Sequence, residues 1–263
     1  MIVLAAIVPH SPLLAPTIGK EHREKLADTL KAYDELAQSL YLAKPDTIVM
    51  LSPHAPMYPD SFSGNIAPKF KGTLKEFGDH GTEIPVKADF LLLDRIHRYM
   101  RDHNVPFTMT SSEDLDYGTT IPLMFLGKNL PNIKLVPIGM SGLDAQAHYE
   151  FGEQLKNVIH AESGRVVIIA STDLSHTSNS NSPEGVTPEG EAFDKIVREK
   201  VLTLDAAGLL AIDANTLEKA KQSAHKPIVT LMGCLKDMNV QTKELCYEAP
   251  FGVGMTTIRF DLA

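Results

Sequence analysis

Short apolar runs that stop at a polar turn recur along the chain. The first, in MIVLAAIVPHSP, ends at Pro9-His10-Ser11-Pro12; a second, Asp46 to Leu51, ends at Ser52-Pro53-His54-Ala55-Pro56. Arg165 to Ala170 runs out into Ser171-Thr172-Asp173-Leu174-Ser175-His176, and Ile133 to Ile138 is a further run of the same kind. Apolar runs of this length bounded by prolines or polar turns read as strands buried on both faces. Between the first two, Glu21 to Leu42 places Leu26, Leu30, Tyr33, Leu36 and Leu40 at three- and four-residue intervals, the period of an amphipathic helix. Strand, helix, strand in that order predicts a right-handed crossover with the strands parallel, so that His10 and His54 emerge on one edge of the sheet.

Further along, Lys87 to His103 and Ala145 to Ala161 carry helical periodicity, and Pro106 to Thr110 reads as a short strand. Tyr58 to Pro85 is rich in Gly, Pro, Lys and Asp and reads as a loop with irregular strands, in which His80 is expected to be solvated. Helices follow at Glu189 to Leu204, Ala206 to Ile212, Asn215 to Gln222 and Ile228 to Met238, with Pro227 in the first turn of the last. Two strand-like runs, Val240 to Tyr247 and Gly252 to Phe260, close the chain. The expected fold is a single α/β domain over residues 1–263, with a mostly parallel central sheet flanked by helices and an antiparallel C-terminal strand pair.

Composition narrows the chemistry. The 263 residues are 43% hydrophobic with a net charge of −8 and no cluster of Lys and Arg, which argues against nucleic acid as a partner. The N-terminal apolar run is short, lacks a basic leader and is broken by Pro9 and Pro12, so neither a signal peptide nor a membrane span is expected, and the reading is a cytoplasmic protein. Two cysteines, Cys234 and Cys246, give neither a disulfide framework nor a thiolate cluster. A metal would therefore be held by His and carboxylate.

Matched Pro-His-x-Pro turns at two strand ends suit a metal pair, with Zn or non-haem Fe(II) the fitting ions. His176 lacks the prolines and follows Asp173 and Ser175, which suits an acid–base residue oriented by its neighbours. Thr177 to Gly190, full of Ser, Asn, Pro and Gly, reads as a mobile lid beside it. Glu113 to Leu123 is an acidic, Gly-containing turn into a helix start, either a plain cap or a substrate contact.

The segments IVPHSPLL, LSPHAP, DLDYGTTIPL, ASTDLSH, KPIVTLMGCL and APFGVGM, in this order over nearly the whole chain, resemble the class III extradiol ring-cleavage dioxygenase superfamily. The nearest branch is that of the AmmeMemoRadiSam system and Memo-like proteins. That resemblance implies an α/β core with Fe(II), or alternatively Zn, bound by His10 and His54, with His176 as acid–base. It also implies a catechol-like aromatic diol and dioxygen as reactants, and a homodimer. Two departures stand out. Tyr117 occupies the place of an imidazole in ring-cleaving members. The position of the Memo-type cysteine falls on Ser223, so His225 is the first expectation for the third ligand, with Glu218 and Glu248 as carboxylate alternatives. The competing functions are a Memo-like metal-binding protein without dioxygenase activity and a zinc-dependent hydrolase.

Overall fold

The computed structural model describes residues 1–262. Its strands are β1 (Ile2–Val8), β2 (Thr47–Ser52), β3 (Phe62–Asn65), β4 (Lys69–Leu74), β5 (Asp79–Ala88), β6 (Phe107–Thr110), β7 (Asp114–Leu115), β8 (Lys134–Gly139), β9 (Val166–Ser171), β10 (Val240–Glu248) and β11 (Met255–Leu262). They form one mixed sheet in the order β10-β11-β1-β9-β2-β8-β5-β4-β7, with β3 paired to β6 and β8. β1, β9, β2 and β8 run parallel, and the β10–β11 pair joins β1 antiparallel. The expected α/β architecture with an antiparallel C-terminal pair is therefore observed.

One detail differs from the simplest crossover. β9 lies between β1 and β2, so the turn carrying Asp173 and His176 emerges between the turns carrying His10 and His54. Register brings them level: Val8 stands opposite Ser171, and Leu51 opposite Ala170.

The helices are α1 (Pro16–Gly19), α2 (Ala27–Ala43), α3 (Phe90–Asp102), α4 (Tyr117–Leu126), α5 (Ala145–His160), α6 (Pro188–Leu202), α7 (Ala206–Leu210), α8 (Ala214–Lys219) and α9 (His225–Cys234). Strand alternation divides the apolar side chains between two cores. Ile48 and Met50 of β2 pack with Tyr33, Leu36 and Leu40 of α2 and Ile121 of α4. Val49 and Leu51 pack on the other face with Phe151 and Leu155 of α5 and Ile228 and Leu231 of α9. Six helices start on one device, a side-chain oxygen accepting the backbone N–H three residues on: Asp89, Asp116, Asp144, Thr187, Asp205 and Asp213.

Several boundaries and one whole segment are corrected. Residues 58–85, expected as a loop with irregular strands, are more regular than that: they contribute β3, β4 and most of β5, where Phe70, Gly72 and Leu74 alternate inward while lysines face out. β5 continues to Ala88, and capping by Asp89 delays the next helix to Phe90. Lys20–Leu26 is a 3-10 turn, so α2 starts at Ala27 and not Glu21. α9 starts at His225, and the His225 backbone N–H donates to the Gln222 side-chain oxygen at 2.7 Å. No helix among the described residues is long and apolar enough to cross a membrane.

Candidate active site

At the C-terminal edge of the parallel strands, where open α/β sheets bind ligands, the His10 and His54 Nε2 atoms face each other at 3.0 Å. Their rings meet edge-on, with centroids 4.7 Å apart. His10 is 1% exposed and its place is over-determined. Its backbone N–H donates to Asp173 Oδ1 at 3.0 Å, and the Tyr33 hydroxyl donates to the carbonyl of Pro9 just before it. Its Nδ1 lies 2.9 Å from Ser171 Oγ, whose own proton goes to the Gly118 carbonyl. Ser171 must then accept from Nδ1–H, which leaves a lone pair on His10 Nε2 directed at His54.

His54 is held less tightly. Its backbone N–H donates to Ser52 Oγ at 3.2 Å, and Ser52 donates to Asp116 Oδ1 at 2.5 Å. Asp116 also caps α4 by accepting from the Thr119 N–H and hydroxyl. The cap thus links the α4 start to the His54 turn. It places Tyr117 stacked on His54, with centroids 4.1 Å apart and planes at 28°. Gly118 is required next to it, since a Cβ there would lie 2.7 Å from Ser52 Oγ and 3.0 Å from His54 Cδ2.

The third turn supplies a carboxylate and an imidazole. Asp173 Oδ2 lies 3.8 Å from His10 Nε2, and Ser223 Oγ lies 3.5 Å from the same nitrogen while donating to the Asp173 carbonyl. His176 is half-buried, and its Nδ1 lies 2.6 Å from the Lys221 carbonyl. That carbonyl can only accept, so Nδ1 carries a hydrogen and proton exchange is left to Nε2.

Burial governs the protonation states. It lowers His10 to about 3, assisted by the charge on His176, and lowers His54 to about 4, assisted by His10. Both imidazoles are therefore neutral donors near pH 7. Burial also raises Asp173, against the opposing pull of His176 and the His10 N–H. The Tyr117 phenol is raised by burial and then by Asp173, so it stays protonated.

The structure brings together His10, His54, Asp173, Tyr117 and His176, but not His225. The imidazole of His225 is buried on the α7 side of α9, with Nε2 2.9 Å from the Leu209 carbonyl. A ring nitrogen donating there is not available to an ion beside His10, which corrects the three-histidine expectation. Ser223, Ser171, Ser52 and Tyr33 are partners that sequence reasoning did not assign to these roles; their contacts span 24 to 213 residues apart from the short Ser52–His54 link. Among the described residues no set of three or more His, Cys, Asp or Glu converges with ion-holding geometry.

The expected lid is corrected over its first part, Thr177 to Ser182, while Glu184 to Val186 are exposed. Thr177 and Ser178 are buried. Asn179 Nδ2 donates to the Ala249 carbonyl, Asn181 Nδ2 to that of Pro250, and both Ser178 and Ser182 hydroxyls to that of Gly252. These bonds fasten Ser178 to Ser182 to the β10–β11 turn. Behind it, buried Asp194 accepts from the Ser175 N–H at 2.8 Å and the Tyr247 hydroxyl at 2.9 Å, fixing the residue before His176.

Burial lifts Asp194 to about 6. The folded protein therefore holds this proton more tightly than the unfolded chain. The associated stability is present below about pH 4 and lost as pH rises through about 6. Asp194→Asn keeps an acceptor for Ser175 and does not ionise. Its stability relative to wild type should rise by about 2–3 kcal/mol between pH 4 and pH 8, as read by urea denaturation at both values; a pH-independent difference would show that Asp194 ionisation carries no linkage.

Residues 4–258 match the family described as catalytic LigB subunit of aromatic ring-opening dioxygenase. The chain belongs to the LigB family. Protein CA_C1420 of Clostridium acetobutylicum is 26% identical over 97% of this chain and 56% of its own length. A MEMO1 family protein of Methanococcus maripaludis is 24% identical over 67% of this chain and 54% of that protein. The 2,3-dihydroxyphenylpropionate/2,3-dihydroxicinnamic acid 1,2-dioxygenase of Mycolicibacterium gilvum is 26% identical over 74% of this chain and 62% of the enzyme. The chain thus spans little more than half the length of these relatives. An uncharacterized Escherichia coli K12 protein, JW3007, shares the fold with a TM-score of 0.65 at 16% identity, covering 98% of this chain and 99% of that one.

LigB-family dioxygenases are generally metal-dependent, and the donors here can be tested against that. Two imidazole nitrogens about 2.1 Å from one ion and at right angles lie about 3 Å apart, the separation His10 and His54 adopt. Both rings are neutral, the His10 lone pair points into the gap, and the Ser171 bond to Nδ1 is the outer partner that ligating histidines ordinarily have. The two imidazoles fit a shared divalent metal; Asp173, with Oδ2 3.8 Å from His10 Nε2, is the neighbouring carboxylate but does not converge with them on one point.

Proposed function

We propose that this LigB-family chain is a metal-dependent extradiol-type dioxygenase acting on a catechol-like diol. His10, His54 and Asp173 would hold the ion, Fe(II) as the first choice and Zn as the second. The facing Nε2 atoms of His10 and His54 carry this reading. An ion bound there supplies a Lewis-acidic centre with open positions and favours ionisation of a coordinated hydroxyl.

The remaining roles belong to the protein. His176 commits Nδ1–H to the Lys221 carbonyl, so Nε2 is the nitrogen that would take a proton from a substrate hydroxyl and return it later. Tyr117 keeps its phenolic proton and lies against His54, where it can donate a hydrogen bond to developing negative charge. Asp173 holds the His10 backbone with Oδ1, leaving Oδ2 turned toward the pair.

A second reading, a Memo-like metal-binding protein without turnover, is favoured by Tyr117 in place of an imidazole and by the MEMO1 relatives. Oxygen uptake by anaerobically Fe(II)-loaded protein, on a panel of catechols that includes 3-substituted carboxylates, separates the two. Uptake with formation of a ring-opened chromophore is expected. Stoichiometric iron with no uptake on any diol would replace the enzyme with the binding protein.

A further inference from the structure

β5 joins β8 only at Lys87 and Ala88, so the edge of its preceding residues is open. Beside that edge a groove of about 730 Å³ runs between Thr82–Lys87 and the C-terminal half of α4 with the loop that follows it, within the roughly 300–1,000 Å³ range of small-molecule sites. Its floor is apolar. Phe70, Leu123 and Ile133 are buried beneath it, and Ile84, Met124 and Leu130 are half-buried along it.

The rim carries four lysines, Lys69, Lys71, Lys87 and Lys128, against one acid, Glu83, in a chain whose net charge is −8. Lys69 and Lys71 share Glu113, at 3.8 and 3.6 Å, while neither Lys87 nor Lys128 has an acidic partner among the described residues. Lys69 and Lys87 also stand directly opposite each other in the β4–β5 register. Like charges facing across a strand pair destabilise it, and an anion between them would turn that repulsion into attraction.

An open strand edge also invites a further strand, and here one residue opposes it. The Lys71 N–H donates to the Glu113 carbonyl at 2.7 Å, away from β5, so Lys71 and its partner Pro85 form a non-hydrogen-bonded pair and the Pro85 nitrogen faces the open edge. It has no N–H to offer an added strand. A small molecule needs no such bond, and Thr82 to Lys87 span about 16 Å of extended backbone, room for an extended alkyl chain.

We propose that the groove binds an alkyl carboxylate of the fatty-acid class, its chain on the floor between β5 and α4 and its carboxylate between Lys69 and Lys87. The site lies toward the opposite end of α4 from Tyr117, and it stands independently of the metal reading.

Calorimetry with decanoate, decanol and acetate tests it. Decanoate should bind with one equivalent, decanol about tenfold more weakly for want of the charge, and acetate not measurably. The Lys69→Gln/Lys87→Gln variant should lose about tenfold for decanoate and nothing for decanol; because it removes a like-charge pair, its thermal stability should be no lower than that of wild type. Ile84→Glu, which puts a carboxylate on the floor, should weaken both alkyl ligands, with circular dichroism checking the fold. Decanoate that fails to bind, binds no tighter than decanol, or is indifferent to both variants overturns the site. Sedimentation with phosphatidylglycerol vesicles, in the absence of decanoate binding, would assign the lysines to a membrane surface and overturn it as well.

Discussion

His10→Ala is expected to leave the protein folded and without stoichiometric metal. The imidazole is one of two converging nitrogen donors, and nothing else in its turn can replace it: Asp173 Oδ2 is 3.8 Å away and Ser223 Oγ 3.5 Å. Ser171→Ala makes the graded counterpart. It removes the acceptor that holds Nδ1–H and leaves the ligand itself in place, so it should weaken metal binding by roughly 10- to 100-fold, with His10→Ala beyond that range. Equilibrium dialysis with metal analysis reads both. A full equivalent retained by His10→Ala would remove His10 from the ligand set, and Ser171→Ala binding as tightly as wild type would show that the tautomer is set elsewhere.

His176→Ala should do the opposite, keeping one equivalent of metal and losing turnover by roughly 10²- to 10⁴-fold. The reason lies in Nδ1–H, committed to the Lys221 carbonyl, which leaves proton exchange to Nε2. His176 is also fixed through its backbone, with its N–H on the Ala220 carbonyl and Ser175 on Asp194. Removing the side chain therefore leaves the turn in place. Steady-state oxygen uptake and metal content on one preparation give both readouts. If His176→Ala releases the metal, the residue is a ligand and the acid–base role belongs to another group.

The strand-end histidines were legible because two local signals coincide at each: an apolar run that can only be a buried strand, and prolines that stop it. The four parallel core strands were visible for the same reason. β4 and β5 were not, since their period-2 pattern is interrupted by Gly72, Gly81 and Pro85, and their inward face packs on α4, a partner far along the chain. The insertion of β9 between β1 and β2 has no local signal at all, yet it brings Asp173 to His10.

The third ligand shows the same limit. His225 has the better donor atom, and the sequence favours it over Ser223. The helix, however, starts at His225 and places that ring against the Leu209 carbonyl, leaving Ser223 beside His10. Rotation about a helix start decides the matter, and composition does not record it. The loop after His176 misled for a related reason. Its Ser and Asn side chains look like solvent-facing groups, but here they bond the carbonyls of the 249–252 turn.

The central claim is that His10 and His54 share one metal ion with oxygen donors completing its sphere. X-ray absorption at the zinc edge on protein loaded with one equivalent addresses it directly. The expected spectrum contains two imidazoles, oxygen donors in the remaining positions and no sulfur. Three imidazoles, or failure of the protein to retain an equivalent of zinc after dialysis, would contradict it.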